Sequence, residues 1–345
     1  MTSAKAPLPP ARIFPLDALP AHYRHGAIAI GNFDGMHRGH QALLEAARSE
    51  ADAHRTPALL LTFEPHPRSF FRPEASLFRL TPVEAKARLA AAFGLDGIVV
   101  ANFDQELAKT SATDFVGDVL VKQLGISAAI VGHDFHFGHD RQGSPAFLAH
   151  EGIRRGFTMS VLGAVIDDQG VAFSSSRVRQ NLEQGAIETA NAELGYRWFV
   201  TGTVQHGDKR GRELGYPTAN VKLPADCGLA LGIYAVQLTR ADGSVHDAVA
   251  SYGRRPTFDN GAVLLEVHVF DFQEQLYDET VVVTFHAHLR PEARFDSIEA
   301  LIEQMDRDSL AARRILATAG PGTELDQRLA TILPPQPVAP AGPIL

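Results

Sequence analysis

The chain has 345 residues, 45% of them hydrophobic and 21% charged, with a formal net charge of −8 at pH 7. A single core rarely grows past roughly 250–300 residues, so two domains are expected, and the acidic balance argues against nucleic acid as a partner while leaving room for local basic patches that hold small phosphates. The one cysteine, Cys227, excludes an intramolecular disulfide and a multi-cysteine metal site, and the absence of a leader pattern or of any apolar run near the ~18 residues of a membrane span gives a cytoplasmic reading with no membrane partner.

From residue 27 to about 185, short apolar runs alternate with helical patterns. A strand is predicted over 27–31 and a helix over 41–49. A strand over 58–63 precedes a helix over 82–93 that Gly94 stops, and 97–101 is again apolar and short. Ser111, with Asp114 three residues on, resembles a capping box that opens a helix reaching Gly125. Strands over 128–132 and 158–163 flank a helical stretch at 145–155. This alternation implies a doubly wound α/β domain with a parallel sheet, in which ligands bind at the carboxyl ends of the strands.

From about Trp198 the pattern becomes a series of strands, at 199–205, 232–239, 247–252, 263–271 and 279–288. Successive short strands separated by Gly, Pro and Asp suggest a closed β-barrel. A helix capped by Asp296 or Ser297 closes the domain, with Ile298, Leu301, Ile302 and Met305 at helical spacing. The domains are therefore expected at 12–186 and 187–318. The Pro- and Gly-rich residues 319–345 are expected to form a disordered tail.

The first candidate site is Gly31-Asn32-Phe33-Asp34-Gly35-Met36-His37-Arg38-Gly39-His40, which follows the first strand and opens the first helix. Helix N-termini suit phosphate, and Gly39 allows close approach to the backbone. His37 and His40 are three apart, on one side of the helix start, where imidazoles can donate hydrogen bonds to phosphoryl oxygens. Three later segments follow strands in the same way: Thr62-Phe63-Glu64-Pro65-His66-Pro67, then Gly132-His133-Asp134-Phe135-His136-Phe137-Gly138, then Ser174-Ser175-Ser176-Arg177-Val178-Arg179. The last offers hydroxyls, a helix start and two guanidiniums, which suit a polyphosphate.

The second candidate site is a Gly-rich, basic stretch from Gly202 to Asn220 that is not a Walker motif. Its glycines let backbone N–H groups wrap a phosphate chain. Thr218 and Asn220 offer oxygens of the kind magnesium (Mg2+) accepts. In the strand at 263–271, Val263, Leu265, Val267 and Val269 line one face, while Leu264, Glu266, His268 and Phe270 line the other. A carboxylate such as Glu266 can take the proton of a primary alcohol.

These motifs, in this order and over residues 12–318, resemble the prokaryotic bifunctional FAD synthetases. The resemblance implies an α/β nucleotidyltransferase domain that adenylylates FMN, followed by a small β-barrel riboflavin kinase domain. In the first domain it implies ATP binding by Gly31, Phe33, Asp34, Gly35, His37, Gly39, His40, Asp134, Ser175, Ser176 and Arg179, with His37, His40 and Arg179 catalytic. It implies flavin binding there by Phe63, Pro65, His66, Pro67 and Phe135. In the second it implies ATP binding by Gly202, His206, Gly207, Gly211, Arg212, Gly215, Pro217, Thr218 and Asn220, with Thr218 and Asn220 holding the metal. Glu266 is the implied base, and Glu266 and Arg290 are implied flavin contacts. Arg254-Arg255-Pro256-Thr257-Phe258 also fits the kinase half. Two positions and one segment depart from the family pattern: Ser176 replaces Thr, Met36 replaces Val, and Ala250-Ser251-Tyr252-Gly253 stands where Asn-Ile-Gly is usual. Riboflavin, FMN, FAD and ATP are the expected small-molecule partners, with transient contact to apoflavoproteins; the oligomeric state is left open. The alternatives are a nucleotidyltransferase with another substrate, or a flavin-binding sensor without catalysis.

Overall fold

The computed structural model describes residues 7–206, 215–254 and 263–335. The chain divides into two compact units, residues 10–175 and residues 1–9 with 176–345.

The first unit is built on six parallel strands: β1 (Arg12–Pro15), β2 (Ala27–Ile30), β3 (Ala58–Glu64), β4 (Gly97–Asn102), β5 (Ala128–Gly132) and β6 (Thr158–Leu162). Their order is β1-β4-β3-β2-β5-β6, and every neighbouring pair is parallel. Parallel sheets are covered on both faces, and every residue of β2 is buried. From β2 the chain steps to β3 and β4 on one side, then crosses to β5 on the other. The carboxyl end of β2 is thus the switch point, where doubly wound sheets bind ligands.

The helix after β2 runs Arg38–His54, longer than the expected 41–49 at both ends. Leu43, Leu44, Ala47 and Ala51 form its buried stripe, and Arg55 ends it in the left-handed region at φ 55°. The helix expected over 82–93 runs Val83–Ala92, and Ser111 caps the following one by accepting from Asp114 N at 3.1 Å. After Ala112–Asp114 that helix widens into a π-helix over Phe115–Gln123. Arg24 closes its end, donating to the carbonyls of Lys122 and Gln123 at 2.8 and 2.9 Å. Strand β1 was not expected. It is exposed and ends in Pro15, which an edge strand tolerates.

The second unit is a closed antiparallel barrel of β7 (Phe199–Gln205), β8 (Ala219–Val221), β9 (Gly232–Thr239), β10 (Val245–Arg254), β11 (Val263–Val269) and β12 (Thr280–Arg290), in the order β10-β11-β8-β7-β12-β9. One inward cross-strand row runs Val204, Val221, Leu265, Tyr252. All four are at most 2% exposed.

The helices Ser175–Glu183 and Ile187–Leu194 belong with this barrel. Val178, Leu182, Ile187, Ala190 and Leu194 are fully buried. Ala230 N donates to Leu182 O at 3.0 Å, and Asn191 Nδ2 to Phe285 O at 3.0 Å. The division between units therefore falls ahead of the expected join at 186. The long helix Ile298–Thr318 is capped by Ser297, whose Oγ accepts from Ala300 N at 3.1 Å. Its buried face carries Asp308, Ala312 and Leu316 rather than the expected Ile298 seam, and Ile298 is 60% exposed. The expectation of a disordered tail fails over residues 319–335. A helix at Glu324–Leu329 opens with a Thr323–Asp326 capping box, Thr323 Oγ1 donates to Gly195 O at 2.8 Å, and Leu325, Leu329 and Ile332 are buried. Three spaced apolar residues anchor what the Pro/Gly content disguised. Residues 336–345 lie outside the described residues. Among the described residues no helix is long and apolar enough to cross a membrane.

Candidate active sites

The loop after β2 ends at His37, the N-cap of the helix Arg38–His54, and the His37 side chain makes no capping bond. The His37 and His40 rings lie against each other, with centroids 3.9 Å apart and planes tilted by 32°. Gly39 makes this possible: a Cβ there would stand 3.2 Å from Cε1 and Nδ1 of His37. Neither Nδ1 has a hydrogen-bond partner among the described residues. Burial pushes His37 down to about 4, although the Asp134 and Asp34 carboxylates pull it upward. Burial, His37 and Lys86 hold His40 well below the usual imidazole range. Both rings are therefore neutral at pH 7, each with one N–H to donate. They sit at the positive end of a helix, at the switch point of the sheet. That combination suits an incoming phosphate chain.

The rest of the loop is held by contacts of its own. Phe33 is fully buried and packs 5.2 Å from His40. Asp34 is 2% exposed and accepts from Thr81 N at 3.0 Å, while Gly35 N donates to Thr81 Oγ1 at 2.8 Å. Ser175 Oγ donates to Asp34 O at 2.7 Å, which ties the end of this unit to the loop. The loop bends through positive φ at Phe33, Gly35 and Met36. Ser176 and Arg179 lie at the start of the helix Ser175–Glu183, in the second unit.

At the end of β3, Phe63 is core, against Phe103 and Phe115. The Glu64–Pro65 peptide is cis. His66 Nδ1 accepts from Arg68 N at 3.1 Å and caps the short helix Pro67–Phe71. Gly31, just after β2, is half-buried; beyond β5, Asp134 is exposed and Phe135 stacks on Phe137 at 5.3 Å with the planes 20° apart. Asp134 acts electrostatically on His37, so the structure brings the β2 and β5 segments together.

On the barrel, Glu266 stands directly opposite Asn220 of β8 and Ser251 of β10. Gln205 continues the row beyond Asn220, and Ile233 and Arg290 continue it beyond Ser251. Residues directly opposite share a face. This row lies on the face opposite Leu265 and Val267, and the expected alternation holds over 265–269, where Leu265, Val267 and Val269 are buried and Glu266 and His268 are not; Val263 is only half-buried, and Phe270, expected beside Glu266, is buried in a cluster with Ala312 and Leu316. Ser251, a departure from the family pattern, therefore stands beside the candidate base. The other departure, Tyr252, faces inward and donates to Cys227 O at 3.1 Å. Burial pushes the Cys227 thiol up, away from reactivity.

The remaining kinase-half residues divide. Gly202 is a packing glycine, since a Cβ would meet Val221 Cγ1 at 2.6 Å. His206 stacks on Tyr277 at 4.1 Å. Gly215 adopts φ +82°, and Pro217 O accepts from His268 Nδ1 at 2.9 Å just before Thr218. Gly207, Gly211, Arg212 and residues 255–258 lie outside the described residues. Arg290 grips Asp308 of the long helix, with Nε–Oδ1 at 2.9 Å and Nη2–Oδ2 at 2.7 Å. Three contacts beside this row involve residues that carried no role in the sequence pattern: His268 with Pro217, Asp308 with Arg290, and Tyr216 with Asp306. Only His268 left a signal, two residues after Glu266 on the same strand face. Among the described residues no group of three or more His, Cys, Asp or Glu side chains is placed to hold a metal.

Residues 19–177 match the FAD synthetase family and residues 194–316 the riboflavin kinase family. The chain is 41% identical over 303 residues to a bifunctional riboflavin kinase/FMN adenylyltransferase of Pseudomonas fluorescens, covering 88% of this chain and 96% of that one. It is 36% identical over 294 residues to the protein of that description from Escherichia coli (strain K12), covering 85% and 94%. Among solved structures, one described as a macrolide-efflux protein from Streptococcus pneumoniae aligns with a TM-score of 0.75 at 28% identity, over 87% of this chain and 98% of that one. With a doubly wound sheet bearing the paired histidines, a barrel bearing the Asn220–Glu266 row, and relatives matched nearly end to end, the chain belongs to the bifunctional riboflavin kinase/FMN adenylyltransferase family.

Proposed function

We propose that this chain converts riboflavin to FMN at the barrel and FMN to FAD at the sheet, consuming one ATP in each step. The observation that carries the reading is the presence of both site constellations in one chain whose relatives are named for both activities. At the barrel, Glu266 takes the proton of the riboflavin 5′-hydroxyl, that oxygen attacks the γ-phosphorus, and ADP leaves. At the sheet, an FMN phosphate oxygen attacks the α-phosphorus of ATP, and pyrophosphate leaves. That nucleophile is already an anion, so no base is needed. His37 and His40 donate hydrogen bonds to the phosphoryl oxygens as charge builds, and the family resemblance adds Arg179 to this step.

Magnesium is part of the proposal. Asn220 stands opposite Glu266, and the amide and hydroxyl oxygens of Asn220 and Thr218, with those of a triphosphate, form the all-oxygen set this ion accepts. Those two residues would hold it, and it would neutralise charge on the transferring phosphates. A cytoplasmic location and hand-over of flavin to apoflavoproteins complete the reading. The test is incubation of the protein with riboflavin, ATP and magnesium, with the flavins resolved by chromatography. FMN and then FAD are expected. Unchanged riboflavin, or FMN that never becomes FAD, refutes the corresponding half.

A further inference from the structure

Lys86 lies in the helix Val83–Ala92 with none of its surface exposed, and the reaction above does not use it. A buried ammonium must be paired and hydrogen-bonded to be tolerated. Lys86 Nζ donates to Thr62 Oγ1 at 3.0 Å and to Glu64 Oε1 at 3.1 Å. Glu64 is gripped from its other side by Arg79, with Nη1–Oε2 at 2.8 Å. Burial pushes the ammonium toward losing its proton, and the Glu64 charge opposes this.

The chain of contacts continues to the histidine loop. The Thr62 hydroxyl donates to the Asn32 carbonyl at 3.1 Å. A hydroxyl has a single hydrogen, whereas an ammonium can only donate. Lys86 therefore obliges Thr62 to accept from it, and the Thr62 hydrogen is left for Asn32. Thr81 holds the next residues, its Oγ1 donating to Phe33 O at 3.1 Å and accepting from Gly35 N at 2.8 Å. The loop so held contains Phe33 at φ 49° and Met36 at φ 39°. Side-chain-bearing residues keep such angles only where their surroundings over-determine them.

We propose that Lys86 is a positioning residue for adenylyl transfer: by donating to Thr62 Oγ1 it commits that hydroxyl to the Asn32 carbonyl and fixes the loop that presents His37 and His40. The proposal rests on reading this loop as the FMN-adenylylating site. Small displacements of catalytic groups cost rate more than affinity for the non-reacting parts of a substrate.

The test uses the full-length protein, with FMN-to-FAD and riboflavin-to-FMN turnover measured separately. Lys86→Met removes the obligate donor at similar length. Thr62→Val removes the relay and leaves the Lys86–Glu64 pair, and Thr62→Ser keeps the hydroxyl. Lys86→Met and Thr62→Val should each lower kcat for FAD formation roughly 10–10²-fold, with KM for ATP changed by less than about threefold. Thr62→Ser should retain kcat, and riboflavin phosphorylation should be unchanged in all three. The double variant should lose no more than about what Lys86→Met alone loses, because Thr62 acts only through the relay, whereas the Lys86 charge also bears on His40 directly. If Lys86→Met does not fold, Thr62→Val decides. A folded Thr62→Val or Lys86→Met protein with unaltered kcat overturns the proposal, even if its melting temperature falls, because the role would then be structural. Absence of FAD formation by the unaltered protein overturns the adenylylation reading, and this inference with it; normal FAD formation by both the unaltered protein and the variants overturns the inference alone.

Discussion

Acid should loosen the sheet unit through His37. Its imidazole is pushed down to about 4 from the ordinary 6.5, chiefly by burial. The unfolded chain therefore binds a proton that the folded chain refuses. Stability is at its full value above pH 6.5, falls as the pH drops from 6.5 toward 4, and levels off below. At pH 5 the unfolded imidazole is protonated and the folded one is not, which removes about 2 kcal/mol at 1.36 kcal/mol per unit. His286, in the barrel, is also pushed to about 4, by burial and then by Arg197, so the unaltered protein alone cannot isolate the effect. The comparison is with His37→Gln, which cannot titrate. Denaturant unfolding of both proteins at pH 7 and pH 5, followed by circular dichroism, gives the difference. The unaltered protein should lose about 2 kcal/mol more than the variant between those pH values. Equal losses would refute the claim that His37 is buried and neutral, and with it the idea that the histidines approach phosphate as neutral donors.

Replacing both His37 and His40 by Ala should abolish FAD formation from FMN and leave riboflavin phosphorylation intact; parallel collapse of both activities in a folded protein would break the division of labour. Glu266→Gln should cut riboflavin phosphorylation roughly 10²–10⁴-fold, the usual scale of general base catalysis, while FAD is still made from supplied FMN. A fragment of residues 176–345 should fold and phosphorylate riboflavin, whereas one beginning at residue 195 should aggregate, because it lacks the fully buried Val178, Leu182, Ile187, Ala190 and Leu194; equal solubility and activity of the two would show that those helices are dispensable to the barrel.

The paired histidines were legible in the sequence because the information is local. A strand, a tight turn with glycine and a helix start all lie within ten residues, so the motif reads locally, although Thr62, Thr81 and Ser175 hold the loop from far along the chain. Glu266 was legible for the same reason, since strand alternation alone fixes its face. What escaped depends on partners far along the chain. Strand β8 is three residues long in a Gly- and Pro-rich stretch, and only pairing with β7 and β11 makes it a strand. The helix start at 175 is legible, but the helix Ile187–Leu194 falls in what reads as a polar join until the barrel supplies a surface for Ile187 and Leu194. The tail looks disordered until Thr323 meets Gly195 and Leu8 bridges Ile332. Lys86 reads as a solvated helix lysine, and its burial follows from Thr62 and Glu64 more than twenty positions away.

The most direct test of the two-step account is the fate of labelled phosphorus. Full-length protein is given riboflavin, magnesium and ATP labelled at either the γ- or the α-phosphorus, and the flavins are separated and counted. The γ-label should enter both FMN and FAD, while the α-label enters FAD alone. An FMN that carries α-label, or an FAD that carries none, would contradict it.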